Sequence, residues 1–301
     1  MPILKLQPAC KDYLWGGEKL RTDYHVNSDL TPLAEAWVLS CHPDGASLLE
    51  NGITLPDYIK ANPAALGINC GEFADFPLLI KLIDAKKALS IQVHPSDAYA
   101  LEHEHQYGKT EMWVILDHKP GAFLYYGFKA PITKEEYRRR IAENTLTEVL
   151  NAVEVHKGDV FFIPSGTLHA IGAGILLAEI QQNSNVTYRV YDYGRLGADG
   201  KPRALHIEQA LAVTDLAKPT RLSFGSYLGR CRYFTTDLLQ GDAAGTAGAE
   251  SFVSLLVTSG AGTLASEGQT VPVRQGDSVF LPANSGPYSL QGDCTVLRTT
   301  V

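Results

Sequence analysis

Two stretches of this chain, KGDVFFIPSGTLH at 157–169 and QGDSVFLPANSGP at 275–287, follow one pattern. Gly158 corresponds to Gly276, Asp159 to Asp277, Phe162 to Phe280 and Pro164 to Pro282. Self-similarity of this kind marks a duplicated unit, and two copies are too few for a solenoid. Short β-type runs recur along the chain, punctuated by glycine and proline: LSIQVHP, TEMWVILDH, AFLYYGF, DVFFIPS, GILLAEIQQ and VTYRVYDYG. Many short strands with frequent turns lead to a sandwich, jelly roll or closed barrel. The expectation is a mainly β protein made of two related barrels with a few helices. Helical spacing is confined to 131–153, which opens on proline, and to shorter segments at 54–66 and 203–213.

Several function classes are excluded early. The 301 residues carry 26 basic and 33 acidic side chains, a net charge of −7, so no global preference for nucleic acid or an anionic membrane is expected. No apolar run approaches the roughly 20 residues of a membrane helix. The opening MPILKLQPACKDYLWGG lacks a basic segment followed by an apolar one, so no secretory signal is expected. The cysteines (Cys10, Cys41, Cys70, Cys231 and Cys294) are scattered and show no CxxC spacing. A cytoplasmic protein with unpaired thiols is the expectation, and a cysteine metal cage is not.

Alternation along the strands sorts the polar residues. Ser90, Gln92 and His94 share one face, and Leu89, Ile91 and Val93 the other. Lys109, Glu111 and Trp113 share a face, as do Glu179 and Gln181, and Thr187, Arg189 and Tyr191. Lys81 interrupts the apolar run LLIKLID. Any single polar row also fits a strand facing solvent. Several rows rich in His, Gln, Glu, Lys and Arg need partners if they point inward, because a buried unpaired polar group costs about 1–3 kcal/mol. A metal ion and a charged substrate supply such partners.

A second motif, Gly158, Pro164, Gly166 and His169, shapes a tight turn that sets His169 at a strand end. Gln92 and His94, two apart on one face, can chelate a single ion, and Glu111 adds the negative ligand. Such a mixed N/O set suits Zn²⁺ without excluding Fe²⁺, Mn²⁺ or Co²⁺. The second copy has Pro287 in place of His169, and no histidine follows His206, so it cannot bind a metal in the same way. His103 and His105 lie in the polar stretch ALEHEHQYGK and read as solvated. The run Arg138–Arg140 reads as an exposed helix face. His25, His42, His118, His156 and His206 have no ligand partner at useful spacing.

The motif pair resembles the cupin superfamily, in which two motifs supply metal ligands to a small barrel. More closely, PLLIKLIDAKKALSIQVHP, GKTEMWVIL, GDVFFIPSGTLHAIGAG and LAEIQQNSNVTYRVYDYGR are similar to the short bacterial kind of type I mannose-6-phosphate isomerase. WGG at Trp15–Gly17 and EAWVLSCHPDGAS at 35–47 are similar to that family too. The resemblance implies two cupin-type (jelly-roll) barrels. Residues 1–217 would form a metal-binding catalytic domain with helical insertions, and 218–301 a degenerate second barrel. It implies one Zn²⁺ per chain on Gln92, His94, Glu111 and His169. It places Arg189 at the active site, with Ser90, Lys81, Lys109 and Glu179 in or near the pocket. Arg189, Lys109 and Lys81 are then the candidate catalytic groups, and Ser90, Glu179 and Lys109 the substrate contacts. The implied reaction interconverts mannose 6-phosphate and fructose 6-phosphate through an enediol, on a monomer or homodimer whose partner is a small sugar phosphate. Two other readings are a metal cupin of different chemistry (another sugar-phosphate isomerase or an oxygenase) and a non-catalytic sugar-binding cupin. The family pattern is not matched everywhere: Ser184–Asn185 stands where longer relatives often carry an acidic residue beside the asparagine, and Ala173 stands where the cupin histidine motif usually ends in Asn.

Overall fold

A computed structural model describes residues 3–196 and 200–301. Two compact units form. One comprises the leading residues through Lys11, Glu18–Leu82 and Ser223–Val301; the other, the central unit, comprises Asp12–Gly17 and Ile83–Leu222. Both are mainly β, with a few short helices.

In the central unit, Val160–Ile163 pairs antiparallel with Glu111–His118, which pairs on its other edge with Ile175–Gln182. A second, five-stranded sheet runs in the order Tyr188–Tyr191, Ile91–Val93, His169–Ala170, Phe123–Phe128, Leu150–Glu154. Ile91, Val93, Phe128, Leu168, Tyr188 and Val190 lie together in its apolar core with Tyr137 of the Lys134–Ala142 helix. The polar members of the alternating rows are left on the opposite face.

The helical spacing of 131–153 is realised only in part. The helix ends at Ala142, Asn144 takes a left-handed φ of 55°, and Leu150–Glu154 is a strand on Phe123–Phe128. Cross-strand pairing won over local spacing there: the sheet supplies this segment with backbone partners that a lone final turn lacks. Helix 54–66 becomes Leu55–Ala61 followed by a 3-10 turn, and 203–213 narrows to Ile207–Val213. No described helix is long and apolar enough to cross a membrane.

The duplicated sequence is duplicated in hydrogen bonds. Asp159 Oδ2 accepts from the His156 N–H at 2.8 Å, and Asp277 Oδ2 from the Arg274 N–H at 2.9 Å. Gly158 donates to the Ile115 carbonyl at 2.8 Å, and Gly276 to that of Val257 at 2.9 Å. After each strand, the Thr167 N–H closes on the Pro164 carbonyl at 3.1 Å, and the Ser285 N–H on that of Pro282 at 3.2 Å. The interiors diverge. Ile163 faces Glu111, whereas its counterpart Leu281 faces Val253. Val253, Leu255, Val257, Val279 and Leu281 fill the second copy with hydrocarbon. It has neither the carboxylate nor the imidazole that the central unit carries at these positions.

The two glycines of the repeat give a direct stability test. Both need positive φ, 92° at Gly158 and 94° at Gly276. An added Cβ meets open space at Gly158 but would lie 1.9 Å from the Tyr24 carbonyl oxygen at Gly276. Gly158→Ala is expected to cost about 1–2 kcal/mol from backbone strain alone. Gly276→Ala should cost at least about 3 kcal/mol, because a backbone atom must also shift. Urea unfolding of the two variants checks this; equal losses would contradict the close approach at Gly276.

Candidate active site

His94, Glu111 and His169 offer ligand atoms that all lie within 4.8 Å of one another. Three elements of the central unit bring them together. Glu111 opens the Glu111–His118 strand, His169 opens the two-residue strand His169–Ala170, and His94 follows Ile91–Val93. The Gly166 N–H donates to the His94 carbonyl at 2.8 Å, which ties the turn before His169 to the segment carrying His94. Gly166 has φ 87° there, and this is why glycine follows Ser165 at the head of the turn.

All three side chains are at most 1% exposed. Each imidazole is oriented by a backbone carbonyl: His94 Nδ1 bonds the Val186 oxygen and His169 Nδ1 the Thr167 oxygen, both at 2.8 Å. A carbonyl can only accept, so Nδ1 carries the hydrogen in both rings, and in the neutral form Nε2 presents a lone pair. These nitrogens face the carboxylate of Glu111, at 3.6 Å for His94 and 3.4 Å for His169. His169 Nε2 makes no hydrogen bond among the described residues. Burial pushes His169 down to about 4, so it is neutral at ordinary pH, the form that ligates. In their neutral form these imidazoles aim lone pairs at a buried carboxylate, an arrangement that calls for a cation between them. Two imidazoles and one carboxylate form a donor set that fits Zn²⁺.

Lys109 supplies part of that positive charge. Its Nζ is 2.6 Å from Glu111 Oε2, 3.3 Å from His94 Nε2 and 3.6 Å from Glu179 Oε1. Glu179 accepts from Trp113 Nε1 at 2.9 Å, and the Trp113 ring meets His169 edge-on with centroids 5.3 Å apart. Trp113 thus orients two site residues, a role its face-sharing with Glu111 hinted at but did not specify.

Gln92, Ser90 and Arg189 form the other side. In the five-stranded sheet Gln92 is the register partner of both His169 and Arg189. Directly opposed residues project to the same side, so Arg189, Gln92 and His169 make one row. Arg189 Nε donates to Ser90 Oγ at 3.1 Å, and Ser90 Oγ donates to Gln92 Oε1 at 3.3 Å.

Lys81 belongs to the other unit. Its side chain is buried, with Nζ 3.6 Å from Glu35 Oε2 and 4.9 Å from the centre of the Trp37 ring. His103 and His105 are exposed, with His103 stacked on Tyr99. Arg139 and Arg140 pair along their own helix with Glu143 and Glu136, and Arg138 reaches Glu208.

A family model described as "Phosphomannose isomerase type I, catalytic domain" matches residues 3–122, and one described as "Mannose-6-phosphate isomerase, cupin domain" matches 225–301. The chain is 38% identical to a probable mannose-6-phosphate isomerase of Bacillus subtilis over 97% of this chain and 96% of that protein. It is 36% identical to the mannose-6-phosphate isomerase of Streptococcus mutans, over 98% and 97%. Its structure matches the crystal structure of the B. subtilis mannose 6-phosphate isomerase with a TM-score of 0.91 and 34% identity, over all of both chains.

Proposed function

The chain belongs to the type I mannose-6-phosphate isomerases, and from that premise we propose that it interconverts mannose 6-phosphate and fructose 6-phosphate through an enediol, with one zinc ion per chain. It is an aldose–ketose isomerase. The observation that carries the zinc-dependent reading is the buried His94–Glu111–His169 cluster, whose Nε2 atoms converge on a carboxylate. Gln92 completes the ligand set as the residue opposite His169 in the ladder. When bound, zinc supplies a Lewis acid that polarises the substrate carbonyl and balances charge on the enediol oxygens.

The chain's own residues provide the rest. The reaction removes the C2 proton of the open-chain aldose and returns a proton to C1, while the hydroxyl hydrogen passes from O2 to O1. Negative charge gathers on O1 and O2 between the two transfers. Arg189, permanently cationic, is placed in the row with Gln92 to stabilise that charge, and for the same reason it is no base. Lys109 holds protons at Nζ among Glu111, Glu179 and His94, and exchanges them with the sugar oxygens. Ser90 and Glu179 contact the substrate and keep Arg189 and Lys109 in place. Lys81, buried with its Nζ 3.6 Å from Glu35 Oε2, is the second candidate proton carrier. The scattered cysteines, without CxxC spacing, support a reducing, cytoplasmic setting.

The test is a coupled assay with mannose 6-phosphate before and after chelation. Dialysis against a strong chelator should remove turnover, and about one equivalent of Zn²⁺ per chain should restore it. Full activity in protein shown to be metal-free would overturn the assignment.

A further inference from the structure

An edge strand leaves one row of backbone N–H and C=O groups without a ladder partner. Tyr188–Tyr191 is such an edge, first in its sheet and paired with Ile91–Val93. At Arg189 a single residue takes both outward groups. The Arg189 N–H donates to His206 Nδ1 at 3.2 Å, and the His206 N–H donates to the Arg189 carbonyl at 2.7 Å. Both backbone groups therefore point away from Gln92. An antiparallel pair of this non-hydrogen-bonded kind brings its side chains closest, with Cα atoms about 4.5 Å apart. The side chain is held at two more points, Nε to Ser90 Oγ and, at 3.3 Å, Nη1 to the Ala204 carbonyl.

His206 also occupies the N-cap of the Ile207–Val213 helix and makes no side-chain capping bond there. Ser, Thr, Asp or Asn at that position would satisfy a helix N–H. The imidazole is turned to Arg189 instead. We propose that His206 is a positioning residue for Arg189, its imidazole and backbone N–H together clamping the strand so that the guanidinium stands beside Gln92. Burial and the positive field of Arg189, partly opposed by Glu104, push His206 below its ordinary range, which keeps Nδ1 open as an acceptor. The proposal rests on the role given to Arg189 above.

Zinc-loaded His206→Ala and His206→Asn decide it, assayed with mannose 6-phosphate alongside amide exchange on arginine-labelled protein. Asn can set Oδ1 where Nδ1 stood, and protection of the Arg189 amide reports that it faces the strand rather than the helix N-terminus. His206→Ala should lower kcat about tenfold or more with KM within about threefold, since small displacements of a charge-stabilising group are costly. Its zinc content should be unchanged, and the Arg189 amide should exchange faster. His206→Asn should restore both kcat and amide protection. Where Ala fails to fold, His206→Gln, which moves the acceptor outward, takes its place. Wild-type kcat in the Ala variant, an equal loss of kcat in an Asn variant whose Arg189 amide is protected, or an unchanged Arg189 amide in the Ala variant would each overturn the clamp. A wild type inactive on mannose 6-phosphate would instead sink the isomerase reading, and the amide exchange would still decide the clamp.

Discussion

Replacing His169 with alanine is expected to remove metal and turnover together. The imidazole is 1% exposed, its Nδ1 is fixed by the Thr167 carbonyl, and its Nε2 lies 3.4 Å from Glu111 Oε1. Alanine leaves a void where one of the two proposed imidazole ligands stood. Loss of a residue that merely orients a ligand weakens metal affinity about 10–100-fold, so loss of the ligand itself should exceed about 100-fold. A Lewis acid held by these residues would contribute several kcal/mol to the charged transition state. At 1.36 kcal/mol per tenfold, turnover should fall by about 10³ or more. Lys109 remains 2.6 Å from Glu111, so the carboxylate keeps a cationic neighbour and the fold should survive. Elemental analysis, kcat/KM and thermal unfolding together check this; stoichiometric zinc in a folded variant would contradict the ligand assignment. His103→Ala, at an exposed site stacked on Tyr99, serves as the neutral control.

The strands that build the site were legible because period-2 alternation is local. Ile91 and Val93 went to the apolar core while Gln92 was set beside His169, as the pattern of LSIQVHP requires. The repeat was legible for the same reason: a Gly-Asp turn is specified by adjacent residues, and both copies close it with matching bonds. Harder to read were pairings set by distance in sequence. Leu4 lies opposite Phe280, and nothing near either residue announces the other. Leu150–Glu154 carried helical spacing, yet a partner strand decided its state. His206 gave no site signal either, because its function arises from the edge of a strand that only the assembled sheet exposes.

The repeat also explains why one copy carries the His94–Glu111–His169 cluster and the other does not. Each has the glycine turn, the short strand and the proline that follow from the shared sequence, so the scaffold is not what differs. At Val253 and Pro287 the second copy has residues that ligate nothing, and its interior closes on valine and leucine. A buried carboxylate without its imidazoles would be costly there, so ligands and apolar filling exclude each other at these positions.

Arg189→Ala is expected to separate binding of the metal from the reaction. Arg189 contacts Ser90 and Ala204 and faces Gln92, yet it is not among the residues of the His94–Glu111–His169 cluster. Zinc content should therefore stay near that of the wild type. The enediol oxygens lose a cation placed before charge develops, and removal of one such donor costs about 10²–10³ in kcat. Because that charge is absent from the bound sugar, KM should move far less than kcat. Arg189→Lys should recover only part of the rate: an ammonium on a flexible stem cannot hold the Ser90 and Ala204 contacts together as the planar fork does. Steady-state kinetics with metal analysis read both quantities on the same samples. A rate within about threefold of the wild type would take Arg189 out of the mechanism, and loss of zinc would make it a support of the metal centre rather than of the charge that forms on the sugar.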